Sequence, residues 1–334
     1  MNAPQTLPPK TGKIMLVGLG PGSADHMTAR ARAAIAEADT IIGYATYIKL
    51  VQELLAGKEV IKKAMTEELD RAIEALDRAS QGKKVALVSS GDAGVYGMAG
   101  PTFEVLFQAG WTPESAIEVE IIPGASALNS CAALVGAPLT HDFCAISLSD
   151  LLTPWPTIAR RLDAVAYADF VVALHNPKSG RRTRQIVEAQ RLFLRHRAPE
   201  TPVAIVKSGH RPKQRIEFTT LDKMAEADIG MLSTVLIGNS NTFIRHGLMV
   251  TPRGYANKYE VADGERNTRD GEKAGRSLST GLNGWLEEIH AAAAAGASAA
   301  ELARQHRLPE DYLATLLAEP LPQDAAVEEA SDEG

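Results

Sequence analysis

Short apolar runs alternate with segments of helical periodicity along the first 137 residues. Runs typical of buried parallel strands occupy residues 13–17, 40–42, 85–88 and 117–122. Segments with helical spacing lie at residues 28–38, 51–55, 67–80, 99–108 and 128–134. In the third of these the apolar positions are Leu69, Ile73 and Leu76. The alternation predicts an α/β domain built on a parallel sheet.

The pattern changes after residues 136–139, Gly-Ala-Pro-Leu, which predict a domain junction. Strands are predicted next at residues 144–148, 170–174, 203–206, 215–219 and 234–237, with helices at 157–168 and 183–196. This half is predicted to be a second α/β unit of more antiparallel character. A polar stretch then leads to helical segments at residues 282–294, 298–304 and 310–317.

The predicted fold class is α/β, with a C-terminal helical extension. Its predicted parts are a flexible N-terminal tail (1–11), an N-terminal α/β domain (12–137), a C-terminal α/β domain (138–258), a linker (259–280), a helical appendage (281–318) and an acidic tail (319–334).

Composition narrows the function classes. Of the 334 residues, 45% are hydrophobic and 23% charged, as in ordinary globular proteins, and the net charge of −6 argues against a nucleic-acid partner held by a basic surface. The two cysteines, Cys131 and Cys144, predict buried free thiols, with no cluster and no metal site. Because the chain has no long apolar run and no signal-peptide core, we expect a cytoplasmic protein without a membrane partner.

Three glycine-containing loops each follow a predicted strand and precede a predicted helix. They are residues 18–22 (Gly-Leu-Gly-Pro-Gly), 90–97 (Ser-Gly-Asp-Ala-Gly-Val-Tyr-Gly) and 123–127 (Pro-Gly-Ala-Ser-Ala). Since glycine lets the backbone approach a ligand or another chain segment closely, the loops predict a shared cleft at the strand ends.

The first loop only superficially resembles a dinucleotide fingerprint. Its spacing is GxGxG with Pro21 inserted, and residues 40–47 provide no Asp or Glu to hold a ribose. The sequence also has no phosphate-loop lysine motif. We therefore disfavour NAD and nucleotide phosphates as ligands.

Together the three loops resemble those of the tetrapyrrole (corrin/porphyrin) methyltransferases, over about residues 12–258. Residues 43–47, 141–155 and 175–177 resemble most the branch of that family that methylates C17 of precorrin-3B in cobalamin biosynthesis. The resemblance implies two α/β domains with the S-adenosylmethionine (SAM) site between them, S-adenosylhomocysteine as the product, and a homodimer.

The resemblance also implies the residues that bind each ligand. For SAM these are Gly91, Asp92, Ala93, Val95, Tyr96, Ser126, Ala127, Leu174, His175, Thr234 and Val235. For the tetrapyrrole they are Gly18, Gly20, Pro21, Gly22, Tyr44, Lys178, Arg181 and Lys207. Because the substrate carries many carboxylates, Arg182 and Arg211 are further candidates to pair with it.

Methyl transfer mainly requires alignment of the two reactants and exclusion of water, so no catalytic triad is expected. The branch also contracts the macrocycle, and that step benefits from a group that moves a proton near neutral pH. The candidates for catalysis are His141, Asp142 and His175.

Several alternatives stay open. Structural roles alone can account for the turn at 18–22, Asp92, Ser126, His141, His175, the basic loop 178–182, Tyr44 and Tyr47. The substrate can be the cobalt-containing analogue or that of a sister methylase, although the lack of a Cys-rich module favours the metal-free route. A SAM- or tetrapyrrole-binding carrier without activity is another class. The helix-turn-helix spacing of residues 298–317 fits a packed appendage, or hand-over to neighbouring pathway enzymes, better than DNA binding.

Overall fold

The computed structural model describes residues 11–64, 66–262 and 264–321. Backbone proximity divides the chain into two units, Met1–Pro252 and Arg253–Gly334, so both α/β halves lie in the first unit. The predicted N-terminal tail, apart from Thr11, and the acidic residues from 322 onward lie outside the described residues. The predicted domain boundaries stay predictions.

The first half is built on a five-stranded parallel sheet in the order β3-β2-β4-β1-β5. Its strands are β1 (Gly12–Gly18), β2 (Thr40–Tyr44), β3 (Glu59–Lys63), β4 (Lys84–Ser89) and β5 (Ile117–Ile122). The sequence pattern missed β3, because its Glu-Val-Ile-Lys-Lys sequence lacks a continuous apolar run and lies at the sheet edge.

Helices cover both faces of this sheet. They are α1 (Ala29–Glu37), α2 (Ala45–Ile48), α3 (Glu68–Ser80) and α4 (Ala99–Gln108). The fifth helix, α5 (Ala127–Val135), packs instead against the second half of the chain and is followed at once by the short strand β6 (Gly136–Ala137). Along β1, Met15 and Val17 pack in a cluster with α1, whereas Ile14 and Leu16 pack in a cluster with α3 and α4. This alternation explains why the strands read as continuous apolar runs.

Helix α3 does not bury its large apolar residues as a simple amphipathic pattern would suggest. Leu69 and Ile73 are 53% and 55% exposed. The buried face consists of Arg71, Ala72, Ala75 and Ala79. Small side chains let the helix lie close to the sheet, so the packing surface follows alanines and not the largest hydrophobic residues.

The second half is built on a five-stranded sheet in the order β10-β9-β11-β8-β7. Its strands are β7 (Phe143–Ser147), β8 (Val171–His175), β9 (Pro202–Lys207), β10 (Arg215–Thr220) and β11 (Ser233–Ile237). Only the β7–β8 pair is parallel, which confirms the predicted antiparallel character. Its helices are α6 (Trp155–Tyr167) and α7 (Gln185–Phe193).

A small sheet connects the two halves. Its strands are β12 (Phe243–Arg245) and β13 (Leu248–Val250), and β13 pairs in parallel with β6. The first half therefore ends on a strand that hydrogen-bonds to the last strand of the first unit.

The second unit begins with an antiparallel pair, β14 (Tyr259–Ala262) and β15 (Glu265–Thr268), inside the segment predicted as a linker. Its helices are α8 (Leu282–Ala294), α9 (Ala299–His306) and α10 (Glu310–Ala318). Leu286, Ile289, Leu302 and Leu313 form its core, which supports the predicted helical appendage. Among the described residues no helix combines the length and the apolar character needed to cross a membrane.

Arg197 hydrogen-bonds to several segments of the second half. Its side chain is buried and donates hydrogen bonds to the carbonyls of Val165 (2.9 Å), Phe170 (2.5 Å) and Gly238 (2.6 Å). The guanidinium also lies 4.9 Å from the centre of the Phe193 ring. Loss of these donors leaves buried carbonyls unpaired, which is costly.

We predict that Arg197→Met, which keeps the apolar stem, lowers the free energy of unfolding by about 2–4 kcal/mol. Urea denaturation measures the change. The exposed neighbour Arg195, replaced in the same way, should change it by less than about 0.5 kcal/mol. Equal stability of the two variants would contradict the structural role of Arg197.

Candidate functional site

The three glycine loops lie together at the C-terminal ends of three neighbouring strands of the first sheet. Strands β4, β1 and β5 are neighbours and all parallel, so the loops that follow them leave the sheet side by side. The predicted shared position of the loops is confirmed. In an open parallel sheet, ligands bind at the C-terminal ends of the strands.

Backbone hydrogen bonds join the first two loops. The Gly20 N–H donates to the Gly91 carbonyl (3.0 Å), and the Gly91 N–H donates to the Gly20 carbonyl (2.7 Å). The Leu19 N–H also donates to the Ser89 carbonyl (2.8 Å). These backbone hydrogen bonds therefore hold the first two loops to each other.

Three glycines from the three loops touch through their backbones. A Cβ on Gly124 would lie 2.2 Å from the Gly91 oxygen and 2.7 Å from the Gly18 oxygen. A Cβ on Gly18 would lie 2.7 Å from the Gly124 nitrogen. Since real Cβ atoms do not come this close, Gly18 and Gly124 are required for packing of the loops.

Asp92 ties the second loop to the third. Its Oδ1 accepts the Gly94 N–H (2.7 Å) and its Oδ2 accepts the Gly124 N–H (2.9 Å). A carboxylate with both oxygens on backbone donors fixes the shape of the loop. This contact supports a shaping role for Asp92 beside its predicted contact with a ligand.

The side chain of Tyr96 connects the second loop to the second sheet. Its backbone has a positive φ of 53°, and its hydroxyl donates to the Ala145 carbonyl on β7 (3.1 Å). Its ring centre lies 5.2 Å from that of His175, at the end of β8.

A cleft with an empty volume of about 860 Å³, counting its open side, lies between the loops of the first sheet and the strand ends of the second. The predicted residues that line it are Pro21, Gly91, Asp92, Val95, Tyr96, Ala127, His175, Arg211 and Thr234.

The other residues predicted to bind SAM do not line this cleft. Ala93, Leu174 and Val235 are fully buried in the apolar core. Leu174 and Val235 are register partners on adjacent strands, and side chains alternate along a strand, so their neighbours His175 and Thr234 face the cleft instead. Ser126 is the N-cap of α5, where its Oγ accepts the Asn129 N–H (3.4 Å).

The residues predicted to bind the tetrapyrrole are more scattered. Gly18, Gly20 and Gly22 lie in the first loop, beside Pro21. Tyr44 packs edge-on against Tyr47, which lines the cleft, with ring centres 5.3 Å apart.

Of the predicted basic residues, Arg211 lines the cleft, whereas Lys178, Arg181, Arg182 and Lys207 do not. Lys207 is engaged by both oxygens of Asp228, each at 2.7 Å. Lys178 and Arg181 lie in the loop after β8 and do not line the cleft either. Their assignment to the substrate stays a prediction.

His175 combines a cleft position with an unpaired nitrogen. Its Nε2 is buried and has no hydrogen-bond partner among the described residues. Burial lowers the pKa of the His175 imidazole from its ordinary value of about 6.5. The ring is therefore neutral at pH 7, and one of its nitrogens can accept a proton.

His141 and Asp142 lie at the other end of the second sheet. They precede β7, whose register pairs Phe143 with Val171 and Ser147 with His175. Six residues of extended chain separate position 141 from the cleft end of β7, roughly 20 Å. The His141 Nδ1 accepts the Asp142 N–H (2.8 Å). The pair does not share the cleft with His175, and its catalytic role stays a prediction without a contact there.

Sequence reasoning did not assign several cleft residues to a ligand. They are Ser130 and Cys131 on α5, Asn176, Ser208, Gly209, and Met231 to Ser233 before β11. One available signal was the helical spacing of Ala127, Ser130 and Cys131, which places small side chains on one face of α5. The loop before β11 carried no such pattern.

Comparison with known proteins gives a family. Residues 13–225 match the model of the Tetrapyrrole (Corrin/Porphyrin) Methylases. The cobalt-factor III methyltransferase of Priestia megaterium is 50% identical over 92% of this chain, which spans 58% of that protein. The probable cobalt-factor III C(17)-methyltransferase of Salmonella typhimurium is 44% identical over 72% of this chain and 99% of its own length. The precorrin-3B C(17)-methyltransferase of a Sinorhizobium species is 41% identical over 74% and 98%.

Solved structures share the fold. The methyltransferase CobJ has a TM-score of 0.68 and 36% identity, covering 72% of this chain and 100% of its own. The uroporphyrin-III C-methyl transferase of Thermus thermophilus, complexed with S-adenosylhomocysteine, has a TM-score of 0.54 and 25% identity, covering 68% and 97%.

We predict that Gly124→Ala lowers the free energy of unfolding by about 1–3 kcal/mol, because the added methyl group meets two backbone oxygens. Gly100→Ala is the matched control. Its Cβ meets nothing within 4 Å in the first turn of α4, so stability should stay constant or rise by up to about 1 kcal/mol. Thermal and urea unfolding measure both, and an unchanged Gly124→Ala protein would refute the three-glycine contact.

Proposed function

This chain belongs to the tetrapyrrole (corrin/porphyrin) methylase family, and we propose that it transfers a methyl group from SAM to C17 of the trunk tetrapyrrole of cobalamin biosynthesis. The main support is similarity above 40% identity to two relatives named C(17)-methyltransferases, over nearly their whole length and 72% and 74% of this chain. The proposed substrate is precorrin-3B or its cobalt counterpart, and the proposed products are precorrin-4, or its cobalt form, and S-adenosylhomocysteine.

The cleft residues suit SAM. Val95, Met231 and Leu232 provide apolar surface for a flat adenine, and the Ser233 and Thr234 hydroxyls can bond to a ribose or an amino acid. We assign SAM binding to the predicted residues on the cleft wall: Gly91, Asp92, Val95, Tyr96, Ala127, His175 and Thr234. Bound SAM supplies a methyl group on a positively charged sulfur, so transfer to carbon leaves S-adenosylhomocysteine.

The protein contributes alignment and proton handling. Loops held rigidly by Gly18, Gly124 and Asp92 can fix the two reactants in line and exclude water. For the ring contraction, we propose that the neutral imidazole of His175 takes the proton from the hydroxyl of the substrate.

A second substrate form has its own support. Two relatives, at 50% and 44% identity, are named for cobalt-factor III, whereas the relative named for precorrin-3B is 41% identical. These identities favour the cobalt form slightly, against the sequence expectation, which relied on the missing Cys-rich module. The cytoplasmic location, homodimer and hand-over to pathway enzymes implied by the resemblance stay predictions.

We predict that the full chain, incubated with methyl-labelled SAM, adds one labelled methyl group to precorrin-3B, cobalt-factor III or both. Mass spectrometry of the tetrapyrrole detects the label, and reactions without tetrapyrrole are the control. Binding of S-adenosylhomocysteine without label in either tetrapyrrole would leave only the carrier function. Calorimetry that detects NAD but no S-adenosylhomocysteine would exclude both.

For His175, we predict that kcat/KM of the wild-type protein stays level as the pH falls through about 6.5 and declines only below it. The sign follows from the lowered pKa, because protonation of the proposed base is delayed to lower pH. His175→Gln should reduce kcat by about 10²–10⁴-fold and remove the acidic decline.

His196→Gln is the control for this measurement, since His196 binds Asp163 and does not line the cleft. It should keep the wild-type profile. Wild-type kcat and an unchanged profile in His175→Gln would remove His175 from the proton transfer.

A further inference from the structure

Arg211 reaches from the second half to the loops of the first. It lies after β9, and its side chain lines the cleft. Its Nε donates to the Pro21 carbonyl (2.8 Å), and its Nη2 donates to the Ser90 hydroxyl (2.8 Å). Gly22 packs flat on it, because a Cβ there would lie 2.8 Å from the Arg211 Nε.

Two arginines that are more fully buried than Arg211 show how this protein compensates a buried guanidinium. Arg71 lies 3.4 Å from a carboxylate oxygen of Glu68 and donates to the Ala64 carbonyl (2.9 Å). Arg197 donates to several carbonyls and has Asp169 at 4.0 Å. Both therefore have an anionic neighbour.

Arg211 has no such neighbour. Across the described ranges no carboxylate lies within 4.0 Å of it, and its side chain donates hydrogen bonds to two neutral acceptors, the Pro21 carbonyl and the Ser90 hydroxyl. A guanidinium has five N–H donors and keeps its charge, so this partly buried cation retains donors for an anion. Unpaired buried charges are costly, and proteins normally pair them.

Tyr47 lies close enough to Arg211 for the guanidinium charge to affect the pKa of its hydroxyl. Burial raises the pKa of the Tyr47 hydroxyl, and the positive charge of Arg211 opposes that rise. Both side chains line the same cleft. A guanidinium and a phenol together offer donors suited to the two oxygens of one carboxylate.

We propose that Arg211, assisted by the Tyr47 hydroxyl, binds a carboxylate of the ligand that occupies the cleft. This rests on the proposed function, in which two sources are at hand: the amino-acid carboxylate of SAM and a carboxylate side chain of the tetrapyrrole. Because Arg211 also holds Pro21 and Ser90, the same contact links ligand binding to both halves of the first unit.

The test uses the full chain with Arg211→Gln, which removes the charge, and Arg211→Lys, which keeps it. Calorimetry with S-adenosylhomocysteine and with 5′-methylthioadenosine, which lacks the amino-acid portion, probes the first source. The KM for the tetrapyrrole in the labelling reaction probes the second. Arg184→Gln, an exposed arginine paired with Glu188, is the control and should behave as wild type in every arm.

If the carboxylate belongs to SAM, Arg211→Gln weakens S-adenosylhomocysteine binding about tenfold to a hundredfold and leaves 5′-methylthioadenosine unchanged. If the carboxylate belongs to the tetrapyrrole, Arg211→Gln leaves the binding of S-adenosylhomocysteine and 5′-methylthioadenosine unchanged. The KM for the tetrapyrrole then rises by a similar factor. In either case Arg211→Lys recovers part of the loss, and added salt weakens wild-type binding of the carboxylate ligand.

Unchanged binding and KM in Arg211→Gln would overturn the proposal. So would equal losses for the Gln and Lys variants with all ligands, including 5′-methylthioadenosine, because that pattern indicates a structural arginine. A wild-type protein that methylates neither tetrapyrrole defeats the proposed function instead, and the calorimetric comparison still decides the role of Arg211 toward SAM.

Discussion

Backbone contact among Gly18, Gly91 and Gly124 is the constraint on which the site depends. The three residues follow or end adjacent parallel strands, and neither Gly18 nor Gly124 leaves room for a Cβ. The loops can therefore come together only with glycine at positions 18 and 124, while the positive φ of Gly91 (71°) favours glycine there. Asp92 and the paired amides of Gly20 and Gly91 then fix the shape of the loops. The cleft wall is thus a rigid, preorganised surface, as a reaction governed by alignment requires.

The second half completes this wall from the opposite side. Tyr96 donates a hydrogen bond to β7, and Arg211 donates hydrogen bonds to the first two loops, so side chains of each half bond to the other. Side chains alternate along a strand. His175 and Thr234 therefore line the cleft, while their strand neighbours Leu174 and Val235 point into the apolar core. The cleft is accordingly lined by both halves, and neither half alone forms it.

The sequence allowed prediction of the α/β halves, the three loops and the family, since these depend on local periodicity and on glycine spacing. It did not place β3, an edge strand rich in charge, or the burial of alanines in place of Leu69 and Ile73 on α3. Within the site, Leu174 and Val235 were predicted one position away from the side chains that line the cleft. His141 was placed with His175 because the resemblance gives no distance, whereas the register of β7 separates them.

The central claim is that SAM occupies the cleft between the two sheets. Amide hydrogen exchange of the full chain, with and without S-adenosylhomocysteine, tests it most directly. The account predicts slowed exchange together in residues 90–97 and 126–131 of the first half and 231–234 of the second. Slowed exchange in only one half at saturating ligand, or in none of these segments, would contradict the claim.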